Sequence, residues 1–211
     1  MKKPPASRKA RGRPRSFDRD AALAAAMEVF WRRGYEGASL AELTEAMGIN
    51  PPSLYAAFGD KERLFLEALE RYLAARGDAC PYGDEPTARG AIERLLTYLA
   101  EDLTATGHPR GCMLMLAAAT AGSGCPAIQA TLARHRAEAR TRLRDRIQQG
   151  IDAGDVRADV DAGALADFYS TVIAGMATQA REGASRRSLM AAASHAMSAF
   201  PERRAQRPVA A

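Results

Sequence analysis

The sequence is poor in the features that build disulfide scaffolds, sheets and membrane spans. It has three cysteines, an odd number without framework spacing, which fits a reducing cytoplasm better than a disulfide-rich fold. Aromatic residues make up only 6% of the chain, and the alternation typical of strands is scarce. No run approaches the roughly 20 apolar residues of a membrane helix, and the basic N-terminus lacks the apolar segment of a secretory signal. These absences predict an all-α, cytoplasmic protein with no membrane partner.

The sequence also lacks the usual signatures of metal and cofactor sites. His108, His135 and His195 lie far apart, without histidine or cysteine partners at ligand spacing. No glycine-rich phosphate loop follows a predicted strand. We therefore predict no metal, no cofactor and no enzymatic activity. The enzyme alternative that remains open is a thiol-dependent site built on Cys112 and His108, which lacks a positioned third group.

Positive charge is concentrated at the N-terminus. Residues 1–16 carry seven lysines and arginines and no acidic residue, so the rest of a chain of net charge +5 sums to −2. A basic arm of this kind predicts an anionic partner, and its richness in Pro, Lys and Arg predicts disorder in the absence of that partner. Within it, Arg11, Arg13 and Arg15 flank Gly12 and Pro14, a pattern that suits an A·T-rich minor groove.

The stretch from Ser39 to Lys61 predicts two short helices joined by a tight turn. Leu40, Leu43 and Met47 form one apolar face, with Ser39 as the N-cap and Gly48 just past the C-terminus. Asn50 is a suitable N-cap for a second helix that begins with two prolines and ends near Phe58. The pattern predicts a helix-turn-helix whose second helix enters the DNA major groove.

At these residues the chain resembles the TetR/AcrR family of transcriptional regulators. The family's motif is matched in order by Thr44, Met47, Gly48, Ile49, Ser53, Leu54, Tyr55, Phe58, Lys61, Glu62 and Leu64. The resemblance implies an all-α fold of about nine helices, with a three-helix DNA-binding domain followed by a helical ligand-binding and dimerisation domain. The predicted boundaries are a disordered arm at 1–16, the DNA-binding domain at 17–60, the effector and dimerisation domain at 61–200, and a flexible tail at 201–211.

The basic arm, the second helix and the resemblance together predict which residues contact DNA. The predicted set is Arg11, Arg13, Arg15, Ser39, Thr44, Asn50, Pro51, Pro52, Ser53, Tyr55 and Lys61. Ser39, Thr44, Tyr55 and Lys61 match positions that commonly contact phosphates. For Tyr55, packing of the ring on the first helix and a hydroxyl–phosphate contact are both open. Family members often have lysine or glycine where this chain has Pro51 and Pro52, so base reading is expected to rely on thymine methyl groups, Ser53 and DNA shape.

The resemblance further implies a homodimer on a palindromic operator, released by a small apolar or electrophilic effector. The predicted pocket lining is Leu96, Leu99, Leu103, Cys112, Met113, Met115, Leu116, Phe168, Tyr169, Val172 and Met176. The predicted dimer interface, formed by the last two helices as a four-helix bundle, is Leu165, Ile173, Leu189, Ala192, Ala193, Ala196 and Met197. For each helix, packing inside the monomer is the open alternative.

Cys112 is open to a second interpretation. It lies at a predicted helix N-terminus, near His108 and Arg110, where a thiolate is stabilised. It is therefore either a thiol sensor of electrophiles or oxidants, with Cys125 as a possible disulfide partner, or a small buried apolar residue. The remaining alternative, an architectural DNA binder without effector, predicts binding that depends on salt but hardly on sequence.

Overall fold

The computed structural model describes residues 17–77, 85–120, 122 and 125–201, and within them the chain forms nine α-helices and no strand. The helices are α1 (Arg19–Gly37), α2 (Leu40–Met47), α3 (Pro51–Phe58), α4 (Lys61–Gly77), α5 (Ala88–Asp102), α6 (Met113–Thr120), α7 (Pro126–Ala153), α8 (Ala162–Arg181) and α9 (Arg186–Ser198). The predicted all-α fold is confirmed. Three parts of the sequence lie outside the described residues: the predicted arm with Arg11, Arg13 and Arg15, the cysteine at position 80, and the tail after Pro201.

Local hydrogen bonds set the helix starts in the N-terminal third of the protein. The Asp18 carboxylate accepts from the backbone N–H groups of Asp20 and Ala21, at 2.9 and 3.2 Å. Ser39 and Glu42 form a reciprocal capping box at the start of α2, and Asp60 accepts from Arg63 N at 2.8 Å at the start of α4. Each of these caps is a short polar side chain immediately before the first helical residue, as the sequence predicts.

Two helices differ in detail from their predicted bounds. The sequence predicts a first helix from about Arg19 to Arg33 that ends at Gly34. The observed α1 is interrupted at Gly34, which has φ 72° and ψ 178°, so this end is confirmed, although a further turn follows. For α5 the sequence predicts a helix from about Thr87 to Thr106, and its predicted C-terminal end is wrong, because the helix ends at Asp102. There the chain turns back, and the Leu103 carbonyl accepts from Gly111 N at 3.0 Å. That turn forms the α5–α6 loop, residues 103–112.

The buried apolar residues form two clusters. The first cluster joins α1 to α4 with α6 and the first half of α7, and includes Phe30, Phe65, Met113 and Leu132. The second joins α5, α7, α8 and α9 around Tyr169 and Leu96. Cys112 packs against both clusters. The DNA-binding head (α1 to α3, with the start of α4) therefore shares its core with the body (α5 to α9) through α6 and α7.

None of the helices in the described ranges is both long enough and apolar enough to span a membrane.

Candidate DNA-binding surface

The turn between α2 and α3 has the geometry of a helix-turn-helix. Gly48 lies in the left-handed region, with φ 65° and ψ 29°, and the Ile49 N–H donates to the Thr44 carbonyl at 3.1 Å. Glycine adopts this conformation without the steric cost of a Cβ. Two residues later the Asn50 side chain accepts from Ser53 N at 2.9 Å and starts α3. The turn fixes the angle between the two helices.

Buried apolar residues hold α3 against the rest of the head. Leu54 and Phe58 are buried on α3, and Leu43 and Met47 are buried on α2. Because these residues lie on the inner faces of both helices, α3 presents Pro51, Pro52 and Tyr55 to solvent, and 48% of the Tyr55 surface is exposed. The exposed face of α3 is the surface that is available to a DNA groove.

Arg19 is a positioning residue that the sequence analysis missed. From the first turn of α1 its guanidinium lies 4.3 Å from the centre of the Phe58 ring. It donates to the Ala57 carbonyl at 3.3 Å and pairs with Glu67 of α4 at 2.7 Å. The last turn of α3 is thereby tied to both α1 and α4. Its partners lie 38 and 48 residues away in sequence, so no local pattern signals this role.

The four residues that the resemblance assigns to phosphate contact differ in their environments. Ser39 is exposed, but its hydroxyl accepts from Glu42 N at 3.1 Å and lies 3.2 Å from the Glu42 carboxylate. Thr44 is buried, and its hydroxyl donates to the Leu40 carbonyl at 2.9 Å. Tyr55 is exposed, which leaves its hydroxyl accessible. The structure thus gives Ser39 and Thr44 helix-internal partners, and their phosphate contacts stay predictions.

Lys61, which is predicted to contact phosphate, packs its ammonium group against an aromatic ring of the head. Its Nζ lies 4.5 Å from the centre of the Tyr35 ring. Burial first, and then a hydrogen bond with Cys125, raise the pKa of Tyr35 to about 12, so this phenol is neutral at physiological pH. A cation–π contact holds the ammonium at the start of α4.

In the body, the predicted pocket residues fall into three environments. Leu96, Leu103, Tyr169 and Met176 are buried in the second cluster, whereas Met113 is buried in the first. Leu99, Met115 and Val172 pack against the second cluster from partly buried positions, as Cys112 does against both, and Leu116 is also partly buried. Phe168 is 41% exposed. An effector pocket enclosed by this whole set stays a prediction.

An open groove runs between α8 and α9. It has a volume of about 480 Å³. Its lining is Phe168, Val172, Gly175, Met176, Gln179, Ala192, His195 and Ala196. Of the predicted interface residues, Ala192 and Ala196 line this groove, while Leu165 and Ile173 are partly buried. Leu189, Ala193 and Met197 are buried in the monomer.

Cys112 lies at the seam between head and body. Its carbonyl accepts from Leu116 N at 3.0 Å, which makes it the residue before the first turn of α6. The Tyr72 hydroxyl of α4 donates to the Cys112 sulfur at 3.3 Å and accepts from Met113 N at 3.1 Å. Burial raises the pKa of Tyr72 well above its ordinary value. The first free N–H of α6 is therefore used by the phenol rather than by the thiol.

The two side chains expected to assist Cys112 have other partners. His108 stacks on Trp31 at 4.6 Å and lies 3.3 Å from the Asp102 carboxylate. Arg110 donates to the Ala180 carbonyl at 2.9 Å. Cys112 and Cys125 are both free thiols, and Cys125 lies 3.9 Å from the Glu36 carboxylate rather than in a disulfide.

Two family models match the chain. The model described as bacterial regulatory proteins, tetR family, matches residues 22–68. The model described as the tetracyclin repressor-like C-terminal domain matches residues 89–196. The first match contains α2, α3 and the glycine turn, and the second contains most of the body.

Whole-chain relatives agree with these matches. The HTH-type transcriptional repressor ComR of Escherichia coli (strain K12) is 39% identical over 199 residues, covering 92% of this chain and 94% of that protein. The repressor BdcR of the same strain is 34% identical over 190 residues, covering 88% and 90%.

A solved structure is similar over almost the same length. A cysteine-substituted mutant of the TetR family regulator CifR, in complex with a 26-bp double-strand operator, has 47% sequence identity and a TM-score of 0.86. The match covers 90% of this chain and all of that one. These relatives are transcriptional regulators, which argues against the enzyme alternative. From its helix-turn-helix, its helical body and these matches, the chain belongs to the TetR family of DNA-binding transcriptional regulators.

Proposed function

We propose that this protein is a homodimeric repressor that binds a palindromic operator through α3 and leaves it when a small effector binds the body. The observation that carries the proposal is the α2–α3 unit. Helix α3 is capped by Asn50 and held by its buried residues Leu54 and Phe58, and its opposite face is exposed to solvent. ComR and BdcR are named as repressors, and the CifR mutant is in complex with operator DNA, which supports the same role here.

In this proposal Lys61, Tyr55 and the N-terminal arginines contact the DNA backbone. Phosphate contacts orient a protein on the duplex but carry no sequence information directly. Lys61 supplies a cation at the start of α4, and Tyr55 supplies an accessible hydroxyl on the outer face of α3. Arg11, Arg13 and Arg15 would extend into a neighbouring minor groove, where a narrow A·T tract attracts arginine.

Base reading in this proposal depends on apolar contact. Pro51 and Pro52 are both exposed on the first turn of α3, and proline has no backbone N–H to donate. Thymine is the base whose major-groove edge carries a methyl group. We expect operator affinity to fall when the thymines of the selected site are replaced by uracils, measured by fluorescence anisotropy. Equal affinity for both duplexes would contradict thymine reading.

The experiment that tests the whole proposal is selection of bound DNA from a random pool at roughly physiological salt. We expect an enriched palindrome, because two identical heads read two identical half-sites, at least about one helical turn apart. Binding without enrichment would instead support an architectural DNA binder, and its affinity would follow salt rather than sequence. Absence of binding by the reduced, effector-free protein would contradict the proposal.

For release, the effector must bind the DNA-incompetent state more tightly than the DNA-bound state. A coupling of about 1–3 kcal/mol changes operator affinity by about 5–150-fold. The adaptable methionines and the leucines of α5, α6 and α8 favour a small apolar effector. This is tested by screening apolar compounds for release of the selected operator.

A thiol switch at Cys112 is the second candidate, favoured by its contact with both clusters and by its hydrogen bond from Tyr72. Addition of the thiol to an α,β-unsaturated carbonyl forms a bond from sulfur to the β-carbon and places the proton on the α-carbon. The adduct would enlarge the seam between head and body. Cys112→Ser should bind the operator normally and lose release by the electrophile, while Cys125→Ser serves as the matched control. Release that survives in Cys112→Ser would exclude this switch.

A further inference from the structure

The C-terminal end of the first part of α1 is held by a residue that is distant in sequence. Gly34 interrupts the helix immediately after Arg33. Arg181, in the last turn of α8, donates to the Trp31 carbonyl at 3.3 Å and to the Arg32 carbonyl at 2.6 Å. Carbonyls at a helix end carry the negative pole of the helix, so a guanidinium that bonds two of them makes charge-assisted contacts there.

A second arginine holds the end of α8 in the same way. Arg110, in the α5–α6 loop, donates to the carbonyls of Ala180 and Ala184. The loop approaches α8 closely at Gly111, where a Cβ would lie 3.0 Å from the Ala177 carbonyl oxygen. A larger residue at this position would push the loop away from the helix.

A third contact connects the loop back to α1. The Trp31 indole N–H donates to the Gly111 carbonyl at 3.1 Å, and this bond is buried. Trp31, the loop and the end of α8 thus form a closed circuit of contacts, in which each member is bonded to the other two. We call this circuit the arginine junction, defined by Trp31, Arg110, Gly111 and Arg181.

The junction adds polar contacts to two other connections between head and body, which are the chain link through α4 and the apolar core that the head shares with α6 and α7. The apolar core is not directional, whereas the hydrogen bonds of the junction fix α1 against one end of α8. The helix that ends in Arg181 also lines the α8–α9 groove through Phe168 and Met176. Through α8, the contact at Arg181 therefore connects this groove, which contains the predicted interface residues Ala192 and Ala196, to the first helix of the head.

We propose that Arg181 is a positioning residue that fixes the separation of the two heads by locking α1 to the C-terminal end of α8. This inference rests on the proposed dimeric, operator-binding function. Arg181 does not contact DNA in this scheme. Its effect on binding is expected to depend on the distance between half-sites, whereas a residue needed only for folding would weaken binding at every distance.

The test uses the full chain and the selected palindrome, resynthesised with the half-sites moved apart or together one base pair at a time. Wild-type protein should show a narrow affinity optimum, because its heads are held at one separation. In Arg181→Met the affinity at the optimum should fall about tenfold, within the usual range of coupling between sites, and the neighbouring spacings should be affected less. Arg136→Met, which removes an exposed arginine of α7, is the matched control.

Arg181→Lys provides a second variant that keeps the charge. A lysine cannot reproduce the planar guanidinium that reaches two carbonyls. The variant should therefore also flatten the profile of affinity against half-site spacing, but with a smaller loss of affinity at the optimum than Arg181→Met. It decides the question if Arg181→Met does not fold as a dimer, which circular dichroism and sedimentation would reveal.

Either of two results would overturn the inference. One is a spacing profile in the folded Arg181 variant that matches Arg136→Met. The other is an equal loss at all spacings with the optimum unchanged in shape. Failure of wild-type protein to select a palindrome would instead overturn the proposed function, so the two failures are distinguishable.

Discussion

At the scale of single residues, Ser39 has two roles that are separable by measurement. Its hydroxyl completes the capping box of α2, and the same residue is predicted to contact phosphate. Ser39→Ala should lower the free energy of unfolding by about 1 kcal/mol, the usual value of an N-cap. Urea denaturation measures this loss. A variant that keeps wild-type stability but loses operator affinity would show that the phosphate role dominates.

The partner of Ser39 in the capping box gives a pH prediction. Hydrogen bonding from the Ser39 backbone N–H, opposed by partial burial and aided by Arg33, lowers the pKa of Glu42 below its ordinary 4.5. A carboxyl whose pKa is lower in the folded state stabilises the fold above its unfolded pKa, and that contribution disappears as pH falls through the folded pKa. The stability difference between wild type and Glu42→Gln should therefore shrink as pH falls below about 4.5.

The control for this prediction is Glu45→Gln, at an exposed position of the same helix but outside the capping box. Thermal unfolding at a series of pH values measures both variants. A difference between wild type and Glu42→Gln that stays constant on acidification would contradict the assignment.

Lys61 is the residue whose role in DNA binding is most directly measurable. A phosphate contact releases a counterion, so Lys61→Met should reduce the slope of log affinity against log salt by about 0.9 and weaken all sequences alike. Titrations at several salt concentrations measure the slope. Arg136→Met removes one exposed charge from α7, outside the predicted DNA-binding set, and should leave the slope almost unchanged. A Lys61→Met slope equal to that of this control would exclude the contact.

Among the helices, one glycine interrupts α1 and another ends α2, and the two differ in what a side chain would meet. Gly34 has φ 72° and ψ 178°, a region that is essentially confined to glycine, and a Cβ there would overlap the Thr120 hydroxyl. Gly48 has φ 65° and ψ 29°, with open space around a Cβ. The first glycine thus controls a close approach to α6, whereas the second controls only a turn.

Alanine substitutions should separate these two situations. Gly48→Ala should cost about 1 kcal/mol through backbone strain alone, and Gly34→Ala should cost more, about 3 kcal/mol. Thr120→Ala should recover part of the second loss and none of the first, since it removes the overlapping hydroxyl. Chemical denaturation of the single and double variants measures the coupling. Equal costs for both glycines would mean that α6 simply moves aside.

For the assembly of the protein as a whole, we expect the α8–α9 groove to lie in the dimer interface. Phe168 of α8, with 41% of its surface exposed, and the small residue Ala192 of α9 both line this groove. Phe168→Glu places a charge in this apolar surface and should convert the dimer to monomer, as measured by sedimentation velocity. Operator affinity should fall by about 10²-fold or more, because the second head no longer benefits from linkage to the first.

The matched control is Ala137→Glu, which introduces the same charge on an exposed position of α7. It should remain dimeric and bind the operator normally. A Phe168→Glu protein that stays dimeric would place the interface elsewhere on the body.

Local sequence is enough to predict the caps of α2 and α3, and with them the helix-turn-helix of this TetR family member. Ser39, Gly48 and Asn50 act on backbone groups within a few residues, so their effect follows from local chemistry whatever the rest of the chain does. The C-terminal end of α5 could not be predicted in this way. No local stop signal marks it, and the chain turns back there through the Leu103–Gly111 hydrogen bond of the following loop.

The contacts that join the head to the body, and the faces of α8 and α9 that turn inward, depend on packing between distant parts of the chain. Arg181 and Trp31 are 150 residues apart, and Trp31 and Gly111 are 80 apart, so no local pattern pairs them. Small apolar residues occur on several faces of α8 and α9, and periodicity then fails to separate a monomer core from an outer groove. Leu189 is buried and Ala192 is exposed because neighbouring helices cover one face and leave the other open.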